Sequence, residues 1–315
     1  GELLSDSEIE LKFSKTEGLV EAELMEAISV VDENNNNVEV AQVNINDETT
    51  VGLTGDFSIE NTPYYVTYEG KTVTVVAGWR AIDEIYGYDG QLGAVLHSDG
   101  TATIKLWSPK AENVSIRLYD KDDQFKVVKD DIQMVLGDSG VWEITLNKEN
   151  TGLDDLRGYF YHYCIDHGDG EPVLALDPYA KSMAAWADPK SGGKYPIGKA
   201  AIVDPSTIGP ELDYANIPGY EKREDGIIYE VHVRDFTSDE NIADELVARF
   251  GTFAAFAEKL DYIESLGVTH IQLLPVMSYY WGNEWASGER LTEYSSTDNN
   301  YNWGYDPHSY FSLTG

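Results

Sequence analysis

The sequence predicts a multidomain protein in which two β-sandwich modules are followed by the first βαβ unit of a parallel α/β domain. Three observations predict it. The chain has 315 residues, more than one ordinary domain. Short alternating runs separated by polar turns recur over the first 190 residues or so, as in all-β sandwiches. Beyond about residue 220 the period changes to a continuous apolar run, then helical spacing, then a second continuous apolar run. The expected modules span residues 1–85, 86–190 and 191–315.

In the first module Ile9–Phe13 alternates and reads as a strand, and Gly18–Met25 as a short helix. Ala27–Val31 and Val38–Val43 are further strands, separated by a turn at Asn34–Asn37. Tyr64–Tyr68, Glu69-Gly70 and Thr72–Val76 form a β-hairpin pattern. No aromatic platform separates a sugar-binding role from a spacer role here. In the second module, after linker-like punctuation at Tyr86–Gly90, strands are expected at Leu92–Leu96, Ala102–Trp107, Val114–Tyr119, Trp142–Leu146 and Tyr159–Ile165. Asp99-Gly100 supplies a tight turn. Trp107 and Trp142 lie within strand patterns and are expected in the core.

Gly226–Val233 is nearly all apolar, the pattern of a strand buried on both faces. Arg234–Thr237 reads as a loop. Phe253, Phe256, Ala257, Leu260, Ile263 and Leu266 recur at helical spacing, with Thr252 as N-cap and Gly267 at the C-terminal end. Val268–Val276 is a second buried strand. A strand, a helix and a strand in this short span make a βαβ unit with parallel pairing.

The formal net charge is -34, from 56 acidic and 22 basic residues. Such a chain is repelled by nucleic acid and by anionic membrane surfaces. The single cysteine, Cys164, excludes an intrachain disulfide framework. No signal peptide and no run long enough to span a bilayer are present. Ser5–Glu8 reads as a start inside a longer protein. His162, Cys164 and His167 lack a second ligand pair with zinc spacing. Asp166, Asp169 and Glu171 lack the alternating carboxylates of a calcium loop; the metal content stays unknown, with no cofactor required and Ca2+ left open.

The chemistry concentrates in Tyr301-Asn302-Trp303-Gly304-Tyr305-Asp306-Pro307. Flat aromatic faces beside a carboxylate suit a ligand with apolar C–H faces and many hydroxyls, which is a sugar. The competing view is that these rings only pack a loop onto a core. The long stretch Met277–Asn300 ahead of it carries Tyr279, Tyr280, Trp281, Trp285 and Tyr294.

The heptad resembles, residue for residue, the YNWGYDP motif of type I pullulanases, debranching enzymes of the α-amylase superfamily. Leu106–Ala111, Val114–Tyr119, Gly140–Glu143 and Asp177–Ala180 resemble the starch-binding type of module that precedes the barrel in pullulanases, isoamylases and branching enzymes. Tyr229–Phe236, Leu260–Gly267 and Gln272–Val276 resemble the first strand, first helix and second strand of the catalytic (β/α)8 TIM barrel. The length of the Met277–Asn300 loop is similar to the Gram-positive surface-enzyme variant. The resemblance covers residues 86–315 well and 1–85 less well.

The resemblance implies a retaining glycoside hydrolase acting on α-1,6 links of pullulan, glycogen or starch, located outside the cell and attached to its surface. It makes Tyr305 the ring under the sugar ahead of the scissile bond. Asp306 would contact that sugar's hydroxyls, with Asn302 and Trp303 shaping the pocket or buttressing Tyr305. Trp281 and Trp285 are candidate outer subsites, whereas His232 and Asp235 are expected to be structural. A (β/α)8 barrel takes about 250 residues, and Ile227–Gly315 supplies 89 (315 − 227 + 1). The catalytic carboxylates of the family are therefore expected outside this chain, which alone should be inactive, with the remaining barrel supplied by a second chain. Two alternatives stay open: a non-catalytic α-glucan-binding fragment, and a related isoamylase, branching or maltogenic type of enzyme.

Overall fold

The computed structural model describes residues 1–168, 170–189, 193–209, 211–280, 284–286 and 303–313. The chain divides into two compact units, Gly1–Gly90 with Asp138–Val141, and Gln91–Gly137 with Trp142–Gly315.

The first unit is built on strands β1 (Glu2–Ser5), β2 (Glu8–Lys12), β3 (Ser29–Val31), β4 (Asn37–Val38), β5 (Val40–Ile45), β6 (Thr50–Gly55), β7 (Tyr64–Tyr68) and β8 (Lys71–Ala77). They form one hydrogen-bonded path in the order β4-β3-β7-β8-β1-β2-β6-β5. The β1–β8 pairing is parallel. Leu3, Ile9, Leu53, Tyr64 and Val75 point into a shared apolar core. The β7–β8 hairpin turns at Glu69 and Gly70, both with positive φ, as its two-residue loop requires. The expected helix forms as α1 (Glu21–Ala27). A second helix, α2 (Trp79–Tyr86), occupies residues that carried no expected element. Ile82, Ile85 and Tyr86 give it helical spacing, and they pack on the core.

The second unit opens with a β-sandwich. Strands β9 (Gly93–Leu96), β10 (Ala102–Trp107), β11 (Asn113–Tyr119), β12 (Val127–Gln133), β13 (Val135–Leu136), β14 (Val141–Leu146), β15 (Phe160–Asp166), β16 (Val173–Ala175) and β17 (Ala200–Ala201) make two sheets. One runs β13-β14-β10-β9; the other runs β12-β11-β15-β16, with β17 also paired to β15. Ile104 and Leu106 of the first sheet meet Ile116, Leu118, Tyr161 and Tyr163 of the second. Trp142 is buried as expected, its indole N–H donating to the Ser108 carbonyl at 3.0 Å.

Trp107 departs from expectation. It is 39% exposed, whereas Leu106 is buried. Strand alternation from Ala102 through Ile104 and Leu106 sends the core side chains one way and Trp107 the other. Strand β12 also escaped the sequence. Lys129, Asp130 and Asp131 interrupt its apolar pattern, and charge is tolerated because β12 is an edge strand.

Past the sandwich, β18 (Ile228–Val231) and β19 (His270–Leu273) pair in parallel, with Ile228 opposite His270 and Val231 opposite Leu273. Between them lie α4 (Val233–Phe236), α5 (Phe253–Ala257) and α6 (Leu260–Ser265), numbered after α3 (Lys148–Thr151) in the sandwich. The βαβ unit is therefore present. Thr252 caps α5 by accepting from the Ala255 N–H, and Gly267 takes positive φ beyond α6. The single helix expected from Thr252 to Leu266 is broken at Glu258–Lys259. There the Glu258 carboxylate turns to accept from the Val247 and Ala248 N–H groups, both at 2.8 Å. Arg234–Phe236, read as loop, is helical, with the His232 ring capping its start by accepting from the Asp235 N–H.

The strands are not buried on both faces. Val231 is buried, but Ile228 is 65% exposed and Leu273 is also exposed. Among the described residues β18 and β19 pair only with each other. Phe256, Ile263 and Val233 cover one side of them. Two strands make a βαβ unit, whereas a closed barrel needs eight. Among the described residues no helix is long and apolar enough to cross a membrane.

Candidate functional site

The candidate sugar site grows from the C-terminal end of β19. Leu274 continues the pairing by donating its N–H to the Val231 carbonyl at 2.9 Å. Pro275 then ends the strand, and 277–280 runs antiparallel to 303–313. Met277 pairs with Leu313 and Tyr279 with Pro307. The Ser278 carbonyl accepts from the His308 N–H at 2.7 Å, and the Ser278 N–H donates to the Ser312 carbonyl at 3.0 Å. The Tyr280 N–H donates to the Asp306 carbonyl at 3.2 Å.

This pairing fixes the turn that presents the candidate residues. Gly304 is buried with φ of 79°, and Asp306 has φ of 71°. Two left-handed residues around Tyr305 reverse the backbone sharply; Gly tolerates this freely and Asp does so better than most. Trp303 is 60% exposed and Tyr305 50%, with Asp306 exposed beside them. Two aromatic rings and a carboxylate thus sit on one solvent-facing turn at the end of a parallel strand. Asn302, Tyr301, Trp281 and Tyr294 lie outside the described residues, as does Asp169 of the weak calcium pattern. Among the described residues no three His, Cys, Asp or Glu side chains converge as metal ligands.

Beneath the exposed turn is a buried aromatic layer. The His308 ring stacks on Tyr280 with centroids 4.3 Å apart and meets the Trp186 ring edge-on at 4.4 Å. Its Nε2 accepts from the Gly198 N–H at 2.9 Å. The Gly198 carbonyl in turn accepts from the His162 Nε2–H at 2.8 Å, and His162 Nδ1 accepts from the Tyr119 hydroxyl at 3.0 Å. Burial pushes both imidazoles down to about 4, so both are neutral near pH 7. In His308 an accepting Nε2 leaves the proton on Nδ1. That atom and Ser309 Oγ are buried with no hydrogen-bond partner among the described residues.

Lys199 lies next to this layer and is almost fully buried. Its ammonium sits over the rings of Tyr195 at 4.3 Å, Tyr119 at 5.0 Å and Phe125 at 5.1 Å, and donates to Gln124 Oε1 at 3.2 Å. Burial pushes the amine down to about 8, with Lys194 adding repulsion. The three ring faces work in the opposite sense, and the group stays charged at neutral pH. Trp285 meets Phe125 edge-on at 5.8 Å.

The sequence singled out Trp303, Tyr305 and Asp306, which the structure places on one exposed stretch, but gave no sign of the layer beneath them. His308 follows the heptad directly, yet nothing in its spacing marks it. Lys199 left a usable signal, a lone charge in Ile197-Gly198-Lys199-Ala200-Ala201-Ile202. His162 is a core residue bonded through both ring nitrogens. Asp177, at the sandwich exit, is also buried, accepting from the hydroxyls of Tyr161 and Tyr163 and from the Tyr179 N–H at 2.8 Å. Burial raises its pKa.

Comparison with known proteins gives this arrangement a context. Residues 91–180 match carbohydrate-binding module 48, the isoamylase N-terminal domain. The chain is 48% identical over 315 residues to pullulanase A of Streptococcus pneumoniae, covering 98% of this chain and 24% of that protein. Among solved structures it is similar to the Group B Streptococcus pullulanase SAP, with a TM-score of 0.81 and 41% identity, covering 99% of this chain and 40% of that one. That pullulanase is also known in complex with maltotetraose. The catalytic module of the glycogen-degrading pneumococcal virulence factor SpuA is 53% identical, with a TM-score of 0.70, over 75% of this chain and 34% of that one. The chain spans about a quarter of the length of the Streptococcus pneumoniae pullulanase A proteins it matches. In sequence and in fold, then, this chain is homologous to part of the streptococcal pullulanases, and its sandwich at residues 91–180 is a carbohydrate-binding module 48.

Proposed function

We propose that this chain is the N-terminal part of a retaining glycoside hydrolase that cleaves α-1,6-glucosidic branch links in pullulan, glycogen or starch. In this reading residues 1–85 and 86–190 are separate β modules. Residues 191–315 are a linker and the opening third of a (β/α)8 catalytic barrel. The catalytic carboxylates lie outside the chain, on barrel strands supplied by further polypeptide, and the chain alone is inactive. No cofactor is invoked. An extracellular, cell-surface location belongs to the same proposal, and protease treatment of intact cells tests it.

The observation that carries the reading is the Tyr305–Asp306 turn. An exposed ring fixes one face of a pyranose, and an adjacent carboxylate fixes its hydroxyls. The turn stands at the C-terminal end of a parallel strand, where barrel enzymes build their sites. Asn302 and Trp303 complete the pocket in this reading, and Trp281 and Trp285 serve outer subsites. The likeness to pullulanases bound to maltotetraose supports the ligand class. Calorimetric titration of the complete protein with maltotetraose tests it: saturable binding strongly weakened by Tyr305→Ala supports the assignment, and binding that keeps its parental affinity in this variant defeats it.

A second reading, glucan binding without cleavage, is favoured by one observation. Trp107 exposes its ring on the surface of the binding module. Glycogen retention that depends on Trp107, in a complete protein that releases no reducing sugar, would favour it.

A further inference from the structure

The exposed turn is not held by the βαβ unit alone. Glu284 pairs with the backbone of Trp186 in both directions. Its N–H donates to the Trp186 carbonyl at 3.0 Å, and its Oε2 accepts from the Trp186 N–H at 2.8 Å. Its other oxygen, Oε1, accepts from the Ser278 hydroxyl at 3.1 Å. Ser278 is fully buried and bonds through its backbone to His308 and Ser312 on the segment that carries the turn. Trp186 is itself fixed, its indole N–H donating to the Tyr195 carbonyl at 3.1 Å and its ring packed against His308. The Glu284 carboxylate thus joins the Trp186 backbone to the Ser278 hydroxyl, and Ser278 carries the link through its own backbone to the segment that bears Tyr305 and Asp306.

We propose that Glu284 is a positioning residue for glucan binding. It clamps the turn bearing Tyr305 and Asp306 to the exit of the carbohydrate-binding module, so that the module sets the height and tilt of the sugar-stacking ring. The inference rests on the glucan-binding assignment of Tyr305 and Asp306. The physical basis is that three hydrogen bonds fix Glu284 between Trp186 and Ser278, and that a small misplacement of a binding group is costly. Glu284 sits apart from the exposed face of the turn and acts through Ser278.

The test uses the complete protein, with pullulan turnover and maltotetraose titration as readouts. Glu284→Ala is expected to raise KM for pullulan and the maltotetraose Kd together, about fivefold to tenfold, while kcat changes less than twofold. Glu284→Gln is expected to stay within about twofold of the parent. Its carbonyl oxygen still accepts from Trp186, and its amide can donate to the Ser278 hydroxyl. Ser278→Ala, which removes only one of the contacts, is expected to shift both constants about twofold to threefold. It serves as the second variant should Glu284→Ala fail to fold. Unchanged KM and Kd in Glu284→Ala, equal losses in the Ala and Gln variants, or an unshifted Ser278→Ala would each overturn the proposal. A parent protein that binds no maltotetraose and cleaves no pullulan would defeat the functional assignment itself, and this inference with it.

Discussion

Gly304 packs directly against the carbonyl of Pro275. A Cβ placed on Gly304 would overlap the Pro275 oxygen and lie 3.1 Å from the Pro275 Cβ. The backbone of Gly304 is also left-handed, with φ of 79°. The end of the second parallel strand and the aromatic turn are therefore in register only because residue 304 has no side chain.

Gly304→Ala meets both penalties at once, steric overlap and a disfavoured φ. It should cost about 2 kcal/mol or more of stability and weaken maltotetraose binding at least tenfold. Thermal unfolding and calorimetric titration check the two effects. A variant that keeps parental affinity would show that the turn does not depend on this contact.

Tyr305→Ala should separate binding from folding. Its ring is half exposed, so truncation should change stability by no more than about 0.5 kcal/mol. Loss of a central aromatic contact should cost about 2 kcal/mol of binding, roughly thirtyfold in Kd. Tyr305→Phe keeps the ring face and should lose less. The readout is the Kd for maltotetraose beside the urea midpoint of each variant.

Much of this architecture was legible in the sequence. The Thr252 cap, Gly267, the Glu69-Gly70 hairpin and the parallel pairing of the two apolar runs each have a local cause and form as expected, although those two strands are not buried on both faces. The chemical character of Trp303, Tyr305 and Asp306 was also legible, because near neighbours in the chain carry it. The layer below was not. His308, Trp186, Gly198 and Glu284 come from four places in the chain and meet only through tertiary packing. Trp107 was assigned to the core because a large ring is usually buried, yet the alternation Ala102, Ile104, Leu106 already placed it on the opposite face. Strand β12 was hidden by the charges that its edge position permits.

Acid should loosen the sandwich and the turn together. His162 and His308 are held down to about 4 by burial, against an ordinary value of 6.5. The unfolded chain therefore binds more protons than the folded one between these values. The stability that neutral imidazoles allow is complete above pH 6.5 and is lost as pH falls through 4. The loss should be about 1–3 kcal/mol per histidine, since each pKa unit is worth about 1.4 kcal/mol. Urea unfolding at pH 7, 5.5 and 4.5 checks the sign. His308→Gln should flatten the dependence.

Lys199 gives a test of the aromatic cage. Lys199→Ala leaves a cavity between Tyr119, Phe125 and Tyr195 and should cost about 2–4 kcal/mol. Lys199→Met keeps the volume and removes the buried charge, so it should cost less than about 1.5 kcal/mol. Chemical denaturation of both variants measures the difference. Equal losses would mean that the charge over the rings matters more than the packing of the stem.

The most direct test of the debranching assignment is pullulan hydrolysis by the complete protein, with the products identified and the polypeptides present weighed by intact mass. The assignment predicts release of maltotriose, the product of cutting only α-1,6 links, in samples that contain further barrel polypeptide. It predicts no release from this chain alone. Complete protein that binds pullulan but releases no maltotriose would contradict it.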